Sequence, residues 1–200
     1  MNVTKRLILA SQSPRRLALL RQIGLQVEVI PSCVREDFDP TVSPEVNAKS
    51  LAHAKAIDVG RNIEEAIIIG ADTIVEVDSI LLPKPATPSD AVRMLEMLSG
   101  RTHTVHTGFA LLDRPSNKYV TGTESTRVTF RSIPPAEIEE YVAGGSPMDK
   151  AGAYGIQDDY GAVFVSHIDG CFYNVVGFPL SKFYTTLQQF QSQLMKVQGC

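Results

Sequence analysis

The stretch LILASQSPRRLALL, residues 7–20, changes from one hydrophobic pattern to another within a few positions. Its first four residues are apolar and predict a buried strand, and leucines then recur at helical spacing after Pro14. Gly24 is a typical helix stop. A buried strand that leads directly into a helix predicts an α/β fold, with a polar and doubly basic turn at the junction.

The rest of the chain continues to mix strand and helix patterns. Further strands are predicted in QVEVI, in AIIIGAD with an extended TIVEV after it, and over residues 102–112 and 118–131. Further helices are predicted from Ser43 to about Val59, from Ser89 or Asp90 to Leu98, in PPAEIEEYVAGG, and from Pro179 to about Leu194. LLPKPATPSD reads as a loop, and AGAYGIQDDYGAVFVSHIDG predicts short strands among glycines. Without repeats or an evident linker, we expect one α/β domain over residues 1–200, with a mixed sheet and two lobes around a cleft.

Composition excludes several classes of protein. Hydrophobic residues make up 44% of the 200 residues, and the net charge of −3 shows no global basic bias, so no nucleic-acid polymer is expected as partner. The three cysteines, Cys33, Cys171 and Cys200, form no disulfide or zinc pattern, which favours a reducing, cytoplasmic setting. No apolar segment is long enough to predict a membrane span.

The junction turn has the chemistry of an anion site. A helix start exposes unpaired backbone N–H groups and the positive end of the helix dipole, which together favour phosphate. Ser11 and Ser13 add hydroxyl donors, and Arg15 and Arg16 add guanidinium groups. The alternative is an ordinary capped helix with two solvated arginines. The sequence has neither GxxxxGK[ST] nor GxGxxG, so known phosphate-loop fingerprints do not decide between the two.

Two carboxylates are candidates for chemistry. Asp72 ends the apolar strand in GADT, where it either faces an open site or is buried at a high cost. There it could hold a divalent cation or take a proton from water, with Glu36 in the preceding loop as a second oxygen ligand. The alternative is that Asp72 caps a turn and that Glu36 is solvated.

Three lysines complete the candidate residues. Lys84 lies between two prolines in a stiff loop, Lys150 precedes a glycine-rich segment, and Lys55 lies on the second predicted helix. Each alone is typical of a protein surface. Together with Arg15 and Arg16 they would form a polyanion pocket, if the fold brings them together.

Several motifs together resemble those of one known family. ASQSPRR, GADT, KP after a strand, DKAGAYGIQ and NVVGFPL occur here in the order typical of Maf proteins, over Leu7 to about Leu180. This resemblance implies a fold like that of the inosine-triphosphate pyrophosphatases. It also implies hydrolysis of a nucleoside triphosphate to the monophosphate and pyrophosphate, with Mg²⁺ or Mn²⁺ as cofactor, and a homodimer.

The resemblance also implies roles for individual residues. Asp72 matches the proton acceptor that activates water, and Glu36 matches an acidic position that helps bind metal. The positions that bind or neutralise the triphosphate are matched by Ser11, Arg15, Arg16, Lys55 and Lys84. Arg15, Thr73 and Gln157 match positions that distinguish the branch acting on dTTP and UTP, which we therefore expect as substrates. Whether Asp72 acts as base, as metal ligand or as both stays open.

The chain departs from the family pattern, and alternative functions remain. Pro83 precedes Lys84 where glycine or another residue is common, and Asp158 stands where glycine is frequent beside Gln157.

One alternative function is a nucleotide-binding regulator of septum formation that needs no turnover. Another is a pyrophosphatase for 7-methyl-GTP.

Overall fold

The computed structural model describes residues 5–157 and 160–198. The strands are β1 (Leu7–Leu9), β2 (Val27–Val29), β3 (Ala66–Val77), β4 (Ile80–Leu82), β5 (Thr102–Arg114), β6 (Tyr119–Phe130) and β7 (Val165–Asp169). The α-helices are α1 (Pro14–Gln22), α2 (Pro44–Gly60), α3 (Pro88–Leu98), α4 (Pro135–Ala143), α5 (Phe172–Val176) and α6 (Leu180–Gln198). Short 3₁₀ helices cover Ser146–Asp149, Ala151–Ala153 and Tyr160–Phe164.

The strands form one mixed sheet in the order β2-β1-β3-β5-β6-β7, with β4 paired to β3. β1 runs parallel to both β2 and β3, whereas the β3–β4 and β6–β7 pairs are antiparallel. The predicted fold class, a mixed α/β sheet with flanking helices, is confirmed. Among the described residues, no helix is both long enough and apolar enough to cross a membrane.

Proline and a capping hydroxyl define where the first three helices begin. α1, α2 and α3 each start with proline, whose fixed φ suits the first helical position. The side chains of Ser13, Ser43 and Thr87 accept a hydrogen bond from a backbone N–H of the first turn. The prediction that Ser89 or Asp90 caps α3 is therefore wrong, because Thr87 caps it two or three residues earlier.

The chain divides into two compact units, which we describe separately. The first comprises Met1–Asp72, Thr107–Glu124 and Gly177–Cys200, and the second comprises Thr73–His106 and Ser125–Val176. The three long strands β3, β5 and β6 each pass from one unit into the other.

In the first unit, helix α2 packs unusually close to the sheet. A Cβ atom placed on Gly70 would lie 1.9 Å from the Ala52 carbonyl oxygen, and one on Gly108 would lie 2.3 Å from that of Ala48. Ala48, Ala52 and Ala56 repeat every four residues and are fully buried along one side of α2. Because glycine faces alanine, the helix backbone lies directly on β3 and β5, and this close packing brings Lys55 of α2 to Asp72 within β3.

The second unit differs from the sequence predictions in three places. Asp78 and Ser79 both have positive φ, 50° and 64°, so a two-residue turn joins β3 to β4. Strand β4 was thus missed, since its last two residues were assigned to a loop. The short strands predicted after Lys150 are largely wrong: in the described part of this segment, 3₁₀ helices precede the strand β7. Helix α5 was not predicted.

Candidate active site

The centre of the candidate site is a lysine held between two carboxylates in the first unit. The Nζ atom of Lys55 lies 2.5 Å from Glu36 Oε1 and 2.5 Å from Asp72 Oδ1. Lys55 projects from α2, Asp72 lies in β3, and Glu36 lies in the irregular segment after β2. Lys55 and Asp72 are buried, whereas the Glu36 side chain is 36% exposed. The arrangement therefore presents two acidic groups, one buried and one facing solvent, around a single cation.

The pKa of Asp72 is raised above its ordinary value. Burial is the main cause, because it disfavours the charged carboxylate, and the negative charge of Glu36 acts in the same direction. The positive charges of Lys55 and Arg16 lower the pKa, but they do not cancel the effect of burial. A carboxylate with a raised pKa holds a proton more strongly, which suits a general base working near neutral pH.

The arginine-rich junction lies next to Asp72. Arg16 donates from Nη1 to the carbonyl oxygen of Ala71 at 3.0 Å and to Ser11 Oγ at 3.1 Å. Its Nε atom donates to the carbonyl oxygen of Gly177 at 3.0 Å. Arg16 is buried, and this burial lowers the pKa of its guanidinium. Arg16 therefore ties the turn to the residue that precedes Asp72, and its direct contact with phosphate stays a prediction.

The two serines of the turn are ordered by hydrogen bonds. Ser13 Oγ accepts from the backbone N–H of Arg16 at 3.5 Å, which makes it the cap of α1. Ser11 Oγ accepts from the backbone N–H of Ser13 at 3.2 Å as well as from Arg16. Because these two bonds use both lone pairs of the Ser11 hydroxyl, its proton is directed away from them as a donor. Arg15 is half-buried in the first turn of the same helix.

Four predicted site residues belong to the second unit. Thr73 follows Asp72 directly in β3 and is half-buried. Lys84 is exposed in a bend between β4 and α3, and Gln157 is exposed at the end of a described segment. Asp158, which departs from the family pattern, lies outside the described residues.

Lys150, the fourth of these residues, is bonded locally. Its Nζ atom donates to the Ser146 backbone oxygen, to Ser146 Oγ at 3.2 Å and to Asp149 Oδ1 at 2.8 Å. The backbone N–H of Gly152 donates to the carbonyl oxygen of Pro83 at 3.2 Å. This bond connects the loop that carries Lys84 to the segment that carries Lys150.

Glu36 and Asp72 carry oxygen atoms of the kind that bind Mg²⁺ or Mn²⁺, and in this structure the Lys55 ammonium lies between Glu36 Oε1 and Asp72 Oδ1. A divalent cation bound by both carboxylates would therefore have to share them with Lys55 or displace its ammonium group. Among residues 5–157 and 160–198, no group of three or more His, Cys, Asp or Glu side chains could hold a metal ion. Mg²⁺ commonly takes one or two carboxylates and completes its shell with phosphate oxygens and water. The chemistry of the donors therefore suits an ion that arrives with a phosphate ligand.

Two polar residues of α2 were not among the site residues predicted from the sequence. Asn47 is buried and bonds to Asp39, and Asp58 bonds to Ser32 and Cys33, so both contact the segment that carries Glu36. Their hydrogen-bond partners lie 8 to 26 positions away, in a segment that has no regular secondary structure. No local sequence pattern predicts hydrogen bonds of this kind.

Comparison with known proteins identifies the family. Residues 6–190 match the family described as Maf-like protein, and the chain belongs to this family. The chain is 42% identical to a dTTP/UTP pyrophosphatase from Caldicellulosiruptor saccharolyticus, over 96% of this chain and 98% of the relative. It is 45% identical to one from Chlorobium luteolum, with 93% and 97% covered, and 46% identical to one from Bacillus cytotoxicus, with 94% and 97% covered. A HAM1 protein structure from Coxiella burnetii aligns with a TM-score of 0.46 and 16% identity, over 96% of this chain and all of that one.

Proposed function

We propose that this Maf protein is a pyrophosphatase that hydrolyses dTTP and UTP to the nucleoside monophosphate and pyrophosphate. The observation that carries the proposal is the buried carboxylate of Asp72, which shares the Lys55 ammonium with Glu36. This group lies beside the start of α1, which Ser13 caps and which carries two arginines. Relatives 42–46% identical over nearly the whole chain are named dTTP/UTP pyrophosphatase, which supports this substrate class. Such a hydrolase would remove excess or modified pyrimidine nucleotides from the pool.

The first unit supplies the binding chemistry for phosphate. A triphosphate carries several negative charges, which must be offset before a nucleophile can approach phosphorus. The N–H groups at the start of α1, the Ser11 hydroxyl and Arg15 offer donors and positive charge to it. Arg16 keeps this turn beside Asp72 through its bond to the Ala71 carbonyl.

Asp72 is the proposed acceptor for the proton of the attacking water. Its raised pKa makes it a stronger base than an ordinary aspartate, and its burial shields it from bulk solvent. Glu36 and Asp72 are the residues that would hold Mg²⁺ or Mn²⁺. A bound cation there would offset phosphate charge and lower the pKa of water.

The second unit carries the remaining proposed contacts. Lys84 and Lys150 are proposed to neutralise phosphate charge, and Thr73 and Gln157 are proposed to contribute with Arg15 to the choice of base. The roles of Lys84, Thr73 and Gln157 rest on the family motifs, and that of Lys150 rests on its position before the glycine-rich segment. The bond between Gly152 and Pro83 supports joint placement of the two lysine segments. A homodimer and a cytoplasmic location are part of the same proposal.

A panel of nucleoside triphosphates tests this function. Purified protein would be incubated with dTTP, UTP, the other common triphosphates and 7-methyl-GTP, with Mg²⁺ or Mn²⁺ and with EDTA, and all products would be separated. We expect metal-dependent release of pyrophosphate with dTMP or UMP. Turnover confined to 7-methyl-GTP would overturn the assignment of dTTP and UTP as substrates. Tight binding of dTTP without any turnover would favour a nucleotide-binding regulator instead of an enzyme.

A further inference from the structure

We propose that Asn47 and Asp58 are positioning residues, which clamp the segment of residues 32–39 along helix α2 so that Glu36 reaches Lys55. The kinetic consequence rests on the proposed function, whereas the clamp itself is a property of the folded chain. Residues 31–39 form neither helix nor strand, so backbone pairing in a sheet does not explain where Glu36 lies.

Asp58 holds the beginning of this segment. Its Oδ2 atom accepts from the Ser32 hydroxyl at 2.9 Å and from the backbone N–H of Cys33 at 2.9 Å. Both bonds favour the ionised carboxylate, so the pKa of Asp58 is lowered below its ordinary value. The bond from the Cys33 backbone N–H is the largest cause. One carboxylate oxygen thus fixes both a side chain and the backbone of the segment.

Asn47 holds the end of the segment. Its Oδ1 atom accepts from the backbone N–H of Asp39 at 2.8 Å, and its Nδ2 atom donates to the carbonyl oxygen of Asp39 at 2.9 Å. The amide therefore pairs with both backbone groups of one residue, as a neighbouring strand would. Asn47 is only 4% exposed, so its buried amide depends on Asp39 for these two hydrogen bonds.

The helix spacing explains why three side chains of α2 reach one extended segment. Asn47, Lys55 and Asp58 lie within about 80° of one another around the helix. They contact the segment in reverse order, so the segment runs antiparallel to α2. From Asn47 to Asp58 the helix rises about 16 Å, and residues 33–39 can span about 21 Å at most.

Glu36 lies midway between the two clamped ends, three residues after Cys33 and three before Asp39. The helix rise is about three quarters of the maximum span of residues 33–39, so the two anchored ends limit how far the Glu36 backbone can move from α2. Release of one end lets Glu36 move away from Lys55 and from Asp72. The effect of Asn47 and Asp58 on catalysis is therefore exerted through Glu36.

Hydrogen–deuterium exchange on the metal-free protein tests the clamp without any activity measurement. In Asn47→Ala and in Asp58→Ala we expect amide exchange over residues 32–39 to become at least about ten-fold faster, with peptides from the core strands unchanged. Asp58→Asn keeps an oxygen that accepts both bonds and should exchange like the wild type. Ser50→Ala, at an exposed position of α2, and Arg61→Ala, which removes the 3.9 Å ion pair with Asp58, are the matched controls.

A double-mutant cycle with Glu36→Gln tests the route to catalysis. For pyrophosphate release from dTTP, Asn47→Ala should lower kcat/KM about ten-fold or more in the wild-type background and less than about two-fold in the Glu36→Gln background. Asp58→Asn should restore most of the activity that Asp58→Ala loses.

Unchanged exchange over residues 32–39, or equal losses of kcat/KM in both backgrounds, would overturn the proposal. If the wild-type protein released no pyrophosphate from any triphosphate, the proposed function would fail. The exchange experiment would then still decide whether Asn47 and Asp58 clamp the segment.

Discussion

Substitution of Gly70 by alanine tests how the fold positions the site. The added Cβ would lie 1.9 Å from the Ala52 carbonyl oxygen and 3.0 Å from the Ala56 backbone nitrogen, and real Cβ contacts essentially never fall below 3.0 Å. Helix α2 and strand β3 must therefore separate locally by about 1 Å or more, since the obstacle is backbone rather than a flexible side chain.

Overpacking of a core commonly costs about 1–3 kcal/mol, and a collision with backbone lies at the upper end. We expect Gly70→Ala to lower the free energy of unfolding by about 3 kcal/mol, which for a chain of this size lowers Tm by about 6–12 °C. Because Lys55 and Asp72 lie on the two elements that separate, kcat/KM should also fall at temperatures where the variant is folded.

Urea denaturation followed by circular dichroism measures the stability. Gly144→Ala is the control, because its Cβ would lie 3.3 Å from the Tyr141 carbonyl oxygen at an ordinary helical φ of −68°, and it should cost about 0.5 kcal/mol or less. Gly70→Ala with the stability of the wild type, within about 0.5 kcal/mol, would refute the reasoning about close helix packing.

Three further predictions concern the charged groups. Burial raises the pKa of Asp72 in the metal-free protein, so an NMR titration of its side-chain carboxyl should give a pKa above the ordinary value of about 4. Lys55→Met removes a positive charge that lowers this pKa and should raise it further, and an unchanged pKa would contradict this. Arg16→Ala removes the donor to two backbone carbonyl oxygens and should lower the free energy of unfolding, measured in urea, by about 3 kcal/mol. Arg15→Ala should lower it by less than about 1 kcal/mol, and equal losses would count against a structural role for Arg16. Glu36→Gln should raise the Mg²⁺ concentration for half-maximal activity about ten-fold or more, and an unchanged Mg²⁺ titration would exclude Glu36 as a ligand.

Local patterns were sufficient for much of the fold. The strand–helix junction, the apolar strand before Asp72 and the proline at the start of α2 follow from hydrophobic periodicity and helix capping, which depend on neighbouring residues. Strand β4 was missed because its turn uses Asp78 and Ser79 rather than a glycine at positive φ.

The geometry of the site depends on contacts between distant residues. The sequence provided Glu36, Lys55 and Asp72 as candidates, but the position of Lys55 between the two carboxylates follows from the packing of α2 on β3. The bond from Arg16 to the Gly177 carbonyl joins residues 161 positions apart. Such pairs leave no spacing signal, so the sequence could name these residues without predicting their partners.

The most direct test of the central claim is pyrophosphate release from dTTP by wild-type protein and by Asp72→Asn under saturating Mg²⁺. If Asp72 accepts the proton of the attacking water, the variant should bind dTTP and have a kcat lower by about 10²–10⁴-fold. A variant that turns over dTTP within about two-fold of the wild-type rate would contradict the assignment of Asp72 as the base.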